Sequence, residues 1–134
     1  MPLCPGMCLP LIIAAGAAAL TPPAIAQTAT DAPPGAKLYD ARCTACHSLD
    51  TNRIGPAHRG VFGRPAGSAP GYACSTTIKA SGIVWNAGTL DTWLQGPQKM
   101  VPGARMYYVV PNPAECTAII ACLRRRRANY DRIW

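Results

Sequence analysis

Acidic residues are scarce in this 134-residue chain. Six Asp and Glu stand against 13 Lys and Arg, a formal net charge of +7. That balance narrows the natural partners to nucleic acid, an anionic membrane or an acidic protein surface. Histidine occurs only as His47 and His58, and Cys74, Cys116 and Cys122 form no C-x-x-C pair. A zinc site, which wants a second pair of ligands at close spacing, is therefore excluded. No βαβ pattern surrounds the one C-x-x-C that does occur, which excludes a thioredoxin-like reading. There is no internal repeat, and the length allows one domain. The leading apolar stretch, Leu9 to Leu20, is too short to span a bilayer comfortably.

That stretch reads as part of an export leader. Small residues follow it, and Ala24-Ile25-Ala26 is an A-x-A cleavage pattern. Residues 1–26 are expected to be a signal peptide, with the mature domain over 27–134. The first eight residues lack Lys and Arg, a departure from the usual positive start. An uncleaved apolar anchor is the competing reading.

The chain is organised around Cys43-Thr44-Ala45-Cys46-His47, a C-x-x-C-H run. This is the pattern of covalent haem c attachment. Two thiols two residues apart can add to the vinyl groups at one edge of a haem. The histidine that follows at once can approach the iron from the same side. Export agrees with this, because bacterial haem c is attached outside the cytoplasm.

The remaining pattern is helical with long loops. A first helix is expected from about Pro33 to Cys46, with Gly35, Leu38, Tyr39 and Arg42 on one face. Residues 48–82 carry many Gly and Pro and read as a long loop. A short helix is expected from Thr89, as N-cap, to Gln95, stopped by Gly96-Pro97. Residues 97–111 read as another loop. A last helix starts with Asn112 as N-cap, Pro113 first in the helix and Glu115 three after the cap. Its buried stripe is Cys116, Ile119, Ile120 and Leu123. Arg124 to Arg127 read as a solvated last turn, in preference to a nucleic-acid site.

Further landmarks follow the motif in order: Gly55-Pro56, Gly60-Val61-Phe62-Gly63-Arg64, Pro70-Gly71-Tyr72, Gly82-Ile83-Val84-Trp85, and Pro102-Gly103-Ala104-Arg105-Met106. In this order and spacing the chain resembles the class I c-type cytochromes of the mitochondrial cytochrome c and bacterial cytochrome c2 kind. The resemblance covers roughly residues 35–123. It implies an all-α small cytochrome c fold, with three main helices and long loops around one covalently bound haem c. It implies His47 and Met106 as the axial ligands of the iron, with the Pro56 carbonyl accepting from the His47 imidazole. It places Arg64, Tyr72 and Trp85 near a haem propionate, and Gly35 and Tyr39 against the last helix. Met100, in the same loop as Met106, is the bystander.

The chain departs from that family at several positions. His58 stands where leucine is common, Cys74 where a tyrosine reaches a propionate, Ile78 for asparagine and Ala104 for threonine. Trp93 replaces the tyrosine that usually bonds the methionine sulfur, and Cys122 replaces an aromatic in the helix–helix contact. His58 reads either as a rival ligand or switch, or as a neutral imidazole packed on the His47 side; the second is preferred. Cys116 and Cys122 lie six apart on one helix, about 9 Å along its axis, beyond disulfide reach. With Cys74 they are expected to be small apolar fillers.

The function implied is a one-electron shuttle in the periplasm of a bacterium, not an enzyme. Its partners would be acidic docking surfaces of membrane or periplasmic redox proteins, with Lys99 and Arg105 as contacts, and the chain would be a monomer. No nucleic acid and no small-molecule substrate are expected. The alternatives are a haem enzyme with an open distal site and a degenerate haem-binding domain.

Overall fold

The computed structural model describes residues 34–130. The leader expectation, residues 1–26, lies outside the described residues. Among the described residues five helices follow one another: α1 (Pro34–Arg42), α2 (Thr76–Ala80), α3 (Ala87–Gln95), α4 (Pro97–Met100) and α5 (Pro113–Tyr130). The three longer ones, α1, α3 and α5, are the expected main helices. Among the described residues the only extended pairing is one antiparallel bridge, Pro65 with Val84.

α5 is the spine, packed against both α1 and α3. Its stripe falls as the sequence predicts, with Cys116, Ile119, Ile120 and Leu123 all buried. Each full-sized aliphatic side chain buried there contributes about 1.5–3 kcal/mol. The start is also as expected, since Asn112 Oδ1 accepts from the Ala114 N–H at 2.9 Å. The end is not. The arginine run lies inside a helix that continues to Tyr130, and half of it is packed. Arg126 lies 4.4 Å over the Tyr39 ring, and Arg127 donates to the Phe62 carbonyl at 2.5 Å. Arg124 and Arg125 remain exposed.

The α1–α5 crossing depends on a missing side chain. A Cβ on Gly35 would lie 2.1 Å from the Ala118 carbonyl oxygen and 3.2 Å from Cys122 Cβ. Only glycine permits that approach. Cys122 is 3% exposed. The crossing has closed around a smaller residue than the aromatic expected there. Arg42 at the end of α1 pairs with Glu115 at the start of α5, at 3.0 Å.

Four boundaries differ from the sequence reading, each for a local reason. α1 stops at Arg42, short of Cys46. Thr44 Oγ1 donates to the Asp40 carbonyl at 2.6 Å, taking up the acceptor four residues back. The N-cap of α3 is Asn86, with Thr89 as the returning half of a capping box. Asn86 Oδ1 accepts from Thr89 N at 3.0 Å, and Thr89 Oγ1 accepts from Asn86 N at 2.8 Å. Residues 48–82 contain α2, one short helix capped by Ser75, whose hydroxyl accepts from Ile78 N. Gly96 ends α3, but Pro97 then opens the single turn of α4 inside the expected loop, a first-turn position that suits proline.

Candidate functional site

The C-x-x-C-H segment leaves α1 as one more loose turn. Cys43 N donates to Tyr39 O, and His47 N donates to Cys43 O, both at 2.9 Å. This turn carries Cys43, Cys46 and His47 to one wall of a largely apolar cavity of about 380 Å³. Met106 lies in the lining too, as do Pro56, Arg64, Tyr72, Trp85 and Trp93. The cavity thus brings together the nine residues expected to bind a cofactor, while Lys99, expected as a docking contact, is not in its lining. Ile119 and Leu123 of α5 and Leu90 and Leu94 of α3 are part of the apolar lining.

His47 is held as a neutral ligand would need to be. Its Nδ1 is 2.8 Å from the Pro56 carbonyl oxygen, so Nδ1 carries the proton and donates it. The lone pair is left on Nε2. Burial holds the imidazole below the usual histidine range, against the opposing pull of the Pro56 carbonyl. Gly55 leaves room for the ring: a Cβ there would come within 2.2 Å of His47 Cε1. His58 stacks on His47, with centroids 4.0 Å apart and planes 21° from parallel. Burial first, then the neighbouring His47, Arg64 and Arg126, hold His58 well below the usual range. This matches the neutral, packed imidazole preferred from the sequence.

Met106 comes from the loop after α4. The turn into it runs from Val101 to Ala104, whose N–H donates to Val101 O at 3.1 Å. Gly103 sits at φ +83°, a backbone region that disfavours other residues. The sulfur accepts from the Trp93 indole N–H at 3.1 Å. The tryptophan that replaces the family's tyrosine therefore reaches the sulfur. Met100 stands on α4 and packs on the core.

Gln98 was not legible as a site residue. Its amide donates to the Ala104 carbonyl at 2.6 Å and the Met106 carbonyl at 2.8 Å, and its Oε1 accepts from Gly103 N at 3.3 Å. One side chain thus clips three backbone groups of the methionine loop. Nothing in a lone glutamine after Gly96-Pro97 signals this. Ile54 and Tyr107 were also missed; they line the cavity and are 76% and 74% exposed.

The three residues assigned to a propionate have distinct partners. Arg64 donates to the carbonyls of Arg59 and Ala57 at 3.2 and 3.1 Å, while its Nε is buried without a partner. The Tyr72 hydroxyl donates to the Ile54 carbonyl at 2.5 Å. Trp85 is buried, 5.2 Å from the Trp93 ring, and its backbone pairs with Arg64. Cys74 stands in the cavity wall, while Cys116 and Cys122 are buried thiols in α5. The Cys116 thiol donates to the Val110 carbonyl at 3.4 Å. Lys99 and Arg105 are exposed, and Arg105 also donates to the Ala73 carbonyl at 3.1 Å.

These residues fit a haem. Two thiols and a neutral imidazole share one wall of an apolar cavity, and a thioether stands in the same lining. Burial pushes the Cys43 thiol up to about 12, with Cys122 adding to it. The orphaned Arg64 Nε is an unfilled donor that an acidic substituent could satisfy.

Comparison with known proteins agrees. The family model for cytochrome c matches residues 32–125. Cytochrome c2 iso-2 of Magnetospirillum fulvum is 38% identical over 97 residues, covering 70% of this chain and 97% of that protein. Cytochrome c2 of Rhodomicrobium vannielii is 36% identical over 115 residues, covering 83% and 91%. Among solved structures, cytochrome cH from Methylobacterium extorquens superposes with a TM-score of 0.65 at 41% identity, covering 68% of this chain and 94% of that one.

Proposed function

This chain belongs to the cytochrome c family, among the class I c-type cytochromes that bind one covalent haem c, and we propose that it is a one-electron shuttle with His47 and Met106 as axial ligands. The observation that carries the reading is the pairing of a Pro56-bound, neutral His47 with a Trp93-bound Met106 in one cavity. The bound haem supplies a one-electron couple at its iron, and Met/His ligation raises its potential. Cys43 and Cys46 would tether it as thioethers. His47 would offer Nε2, because Pro56 fixes the proton on Nδ1. Met106 would offer the sulfur lone pair that Trp93 does not use. Arg64 would offset an acidic substituent through Nε, with Tyr72 and Trp85 in the same lining. The apolar lining would keep water from the metal.

His47 and Met106 would both be committed to the iron, which would leave no place for a substrate, so on this reading the chain carries electrons and transforms nothing. Gln98 and Trp93 support this over an enzyme with an open site, because both hold the methionine loop closed. Partners dock at the cavity mouth, over Ile54 and Tyr107, and are recognised by charge. The +7 balance suits acidic redox proteins, and Lys99 and Arg105 lie close in sequence to the methionine. We place the protein in the periplasm on its A-x-A leader pattern, and as a monomer.

The test is electrochemistry of the protein co-expressed with a haem c maturation system. The expected result is one reversible one-electron wave, with rapid electron exchange to an acidic redox protein and no turnover of peroxide. Sustained peroxide turnover by the native ferric form would favour the enzyme reading.

A further inference from the structure

His58 takes no part in the function so far, yet it is the side chain stacked on His47. Three contacts hold the His47 imidazole. Gly55 lies against a face of the ring, where a Cβ would come within 2.2–2.7 Å of Cε1, Nδ1 and Nε2, the Pro56 carbonyl fixes Nδ1, and His58 covers a face at 4.0 Å, 21° from parallel. The hydrogen bond is an axis about which the ring can turn, and Gly55 presents only backbone to it. The third opposes that motion, because a near-parallel aromatic face resists rotation of its neighbour.

His58 is itself anchored. Its backbone N–H donates to the Ser48 carbonyl at 2.9 Å. Its Nδ1 is 3.1 Å from the Tyr39 hydroxyl. Tyr39 is buried in the α1–α5 crossing, with its ring edge-on to His58 at 5.7 Å. Arg126 of α5 covers the tyrosine ring at 4.4 Å. A continuous brace therefore runs from α5 through α1 and the following loop to the ligand. An aliphatic side chain at position 58 would fill similar space. It would have neither the flat face nor the nitrogen that Tyr39 holds.

We propose that His58 is a positioning residue for His47: braced by Tyr39 and Arg126, it fixes the plane of the ligand ring. This rests on His47 being the axial ligand. Second-shell contacts of this kind set ligand orientation, and through it the electronic structure of the metal. Most such contacts act at the second ring nitrogen; here the face of the ring is the point of control.

The experiment compares native holoprotein with His58→Leu and Tyr39→Phe. The leucine keeps bulk and removes the face and the nitrogen. The phenylalanine keeps the ring and removes only the hydroxyl. Ferric electron paramagnetic resonance reports the ligand plane through its lowest-field line, and the reduction potential is measured alongside. The native line is expected to be narrow. His58→Leu should broaden and shift it and move the potential, with the thioether–iron band retained. Tyr39→Phe should shift it in the same direction by less. If both variants keep the native line and potential, even with reduced stability, His58 is a core filler and the proposal fails alone. Should His58→Leu not accumulate, Tyr39→Phe decides, and an unchanged line overturns the proposal. A native protein lacking covalent haem or the thioether–iron band overturns the ligand assignment, and the proposal with it.

Discussion

The indole N–H of Trp93 donates to the sulfur of Met106 across 3.1 Å. An indole can only donate, so the bond has one polarity and leaves the second sulfur lone pair free. A hydrogen bond of this kind contributes about 1 kcal/mol net. Trp93→Phe should therefore raise the affinity of added imidazole, which displaces the methionine, roughly five-fold. Trp93→Tyr restores a donor and should fall between. Spectroscopic titration reads the affinities, and equal values for all three proteins would mean the bond does not hold the ligand.

Gln98 should act on the loop and not on the iron. Replacing it with alanine removes its three bonds to Gly103, Ala104 and Met106. The Gly103 amide should exchange with deuterium at least about tenfold faster, since a loss of 1.4 kcal/mol in local opening gives that factor. The optical spectrum should be unchanged. Unaltered exchange at Gly103 would remove the clip from the account.

Gly35→Ala should be among the most damaging single-methyl changes. Its Cβ would meet the Ala118 carbonyl at 2.1 Å, and backbone cannot move aside cheaply. Overpacking of this kind costs about 1–3 kcal/mol or more. Gly88→Ala is the control: it meets only Asn86 Oδ1, at 3.5 Å, and should be neutral or stabilise by up to about 1 kcal/mol. Denaturant midpoints of the two holoproteins decide this, and equal effects would contradict the crossing described.

Electron transfer to an acidic partner should slow as salt rises. On the proposed function the charge of +7 would steer the encounter, and screening confines such a field to about 8 Å at physiological ionic strength. Stopped-flow rates across a salt series measure this. A flat series would leave the apolar rim of Ile54 and Tyr107 as the source of docking.

What the sequence made legible was chemistry at short range. Cys43, Cys46 and His47 are a contiguous motif, and Asn112-Pro113 with Glu115 is a local start signal, so both read directly. The α5 stripe follows from periodicity alone. Contacts made at long range did not read. Arg127 meets Phe62 across 65 positions, so a run of four arginines looked like a solvated end. His58 meets Tyr39 across 19, and nothing near either residue announces the pair. The boundaries of α3 misread because Asn86 and Thr89 share a capping box, and either can pass for the cap. α2 and α4 are too short for any period to show. Cys122 read as a lost aromatic, and the structure shows it 3% exposed in a crossing where a Cβ on Gly35 would come within 3.2 Å of its own.

The ligand pair is tested most directly by the ferric optical spectrum of three holoproteins, native, Met100→Ala and Met106→Ala. A sulfur–iron bond gives a weak charge-transfer band near the red end. The band should be present in the native protein, persist in Met100→Ala, and vanish in Met106→Ala, with a fall in potential as the thioether is lost. A band that survives Met106→Ala, or is lost with Met100→Ala, would contradict the assignment of Met106 as the partner of His47.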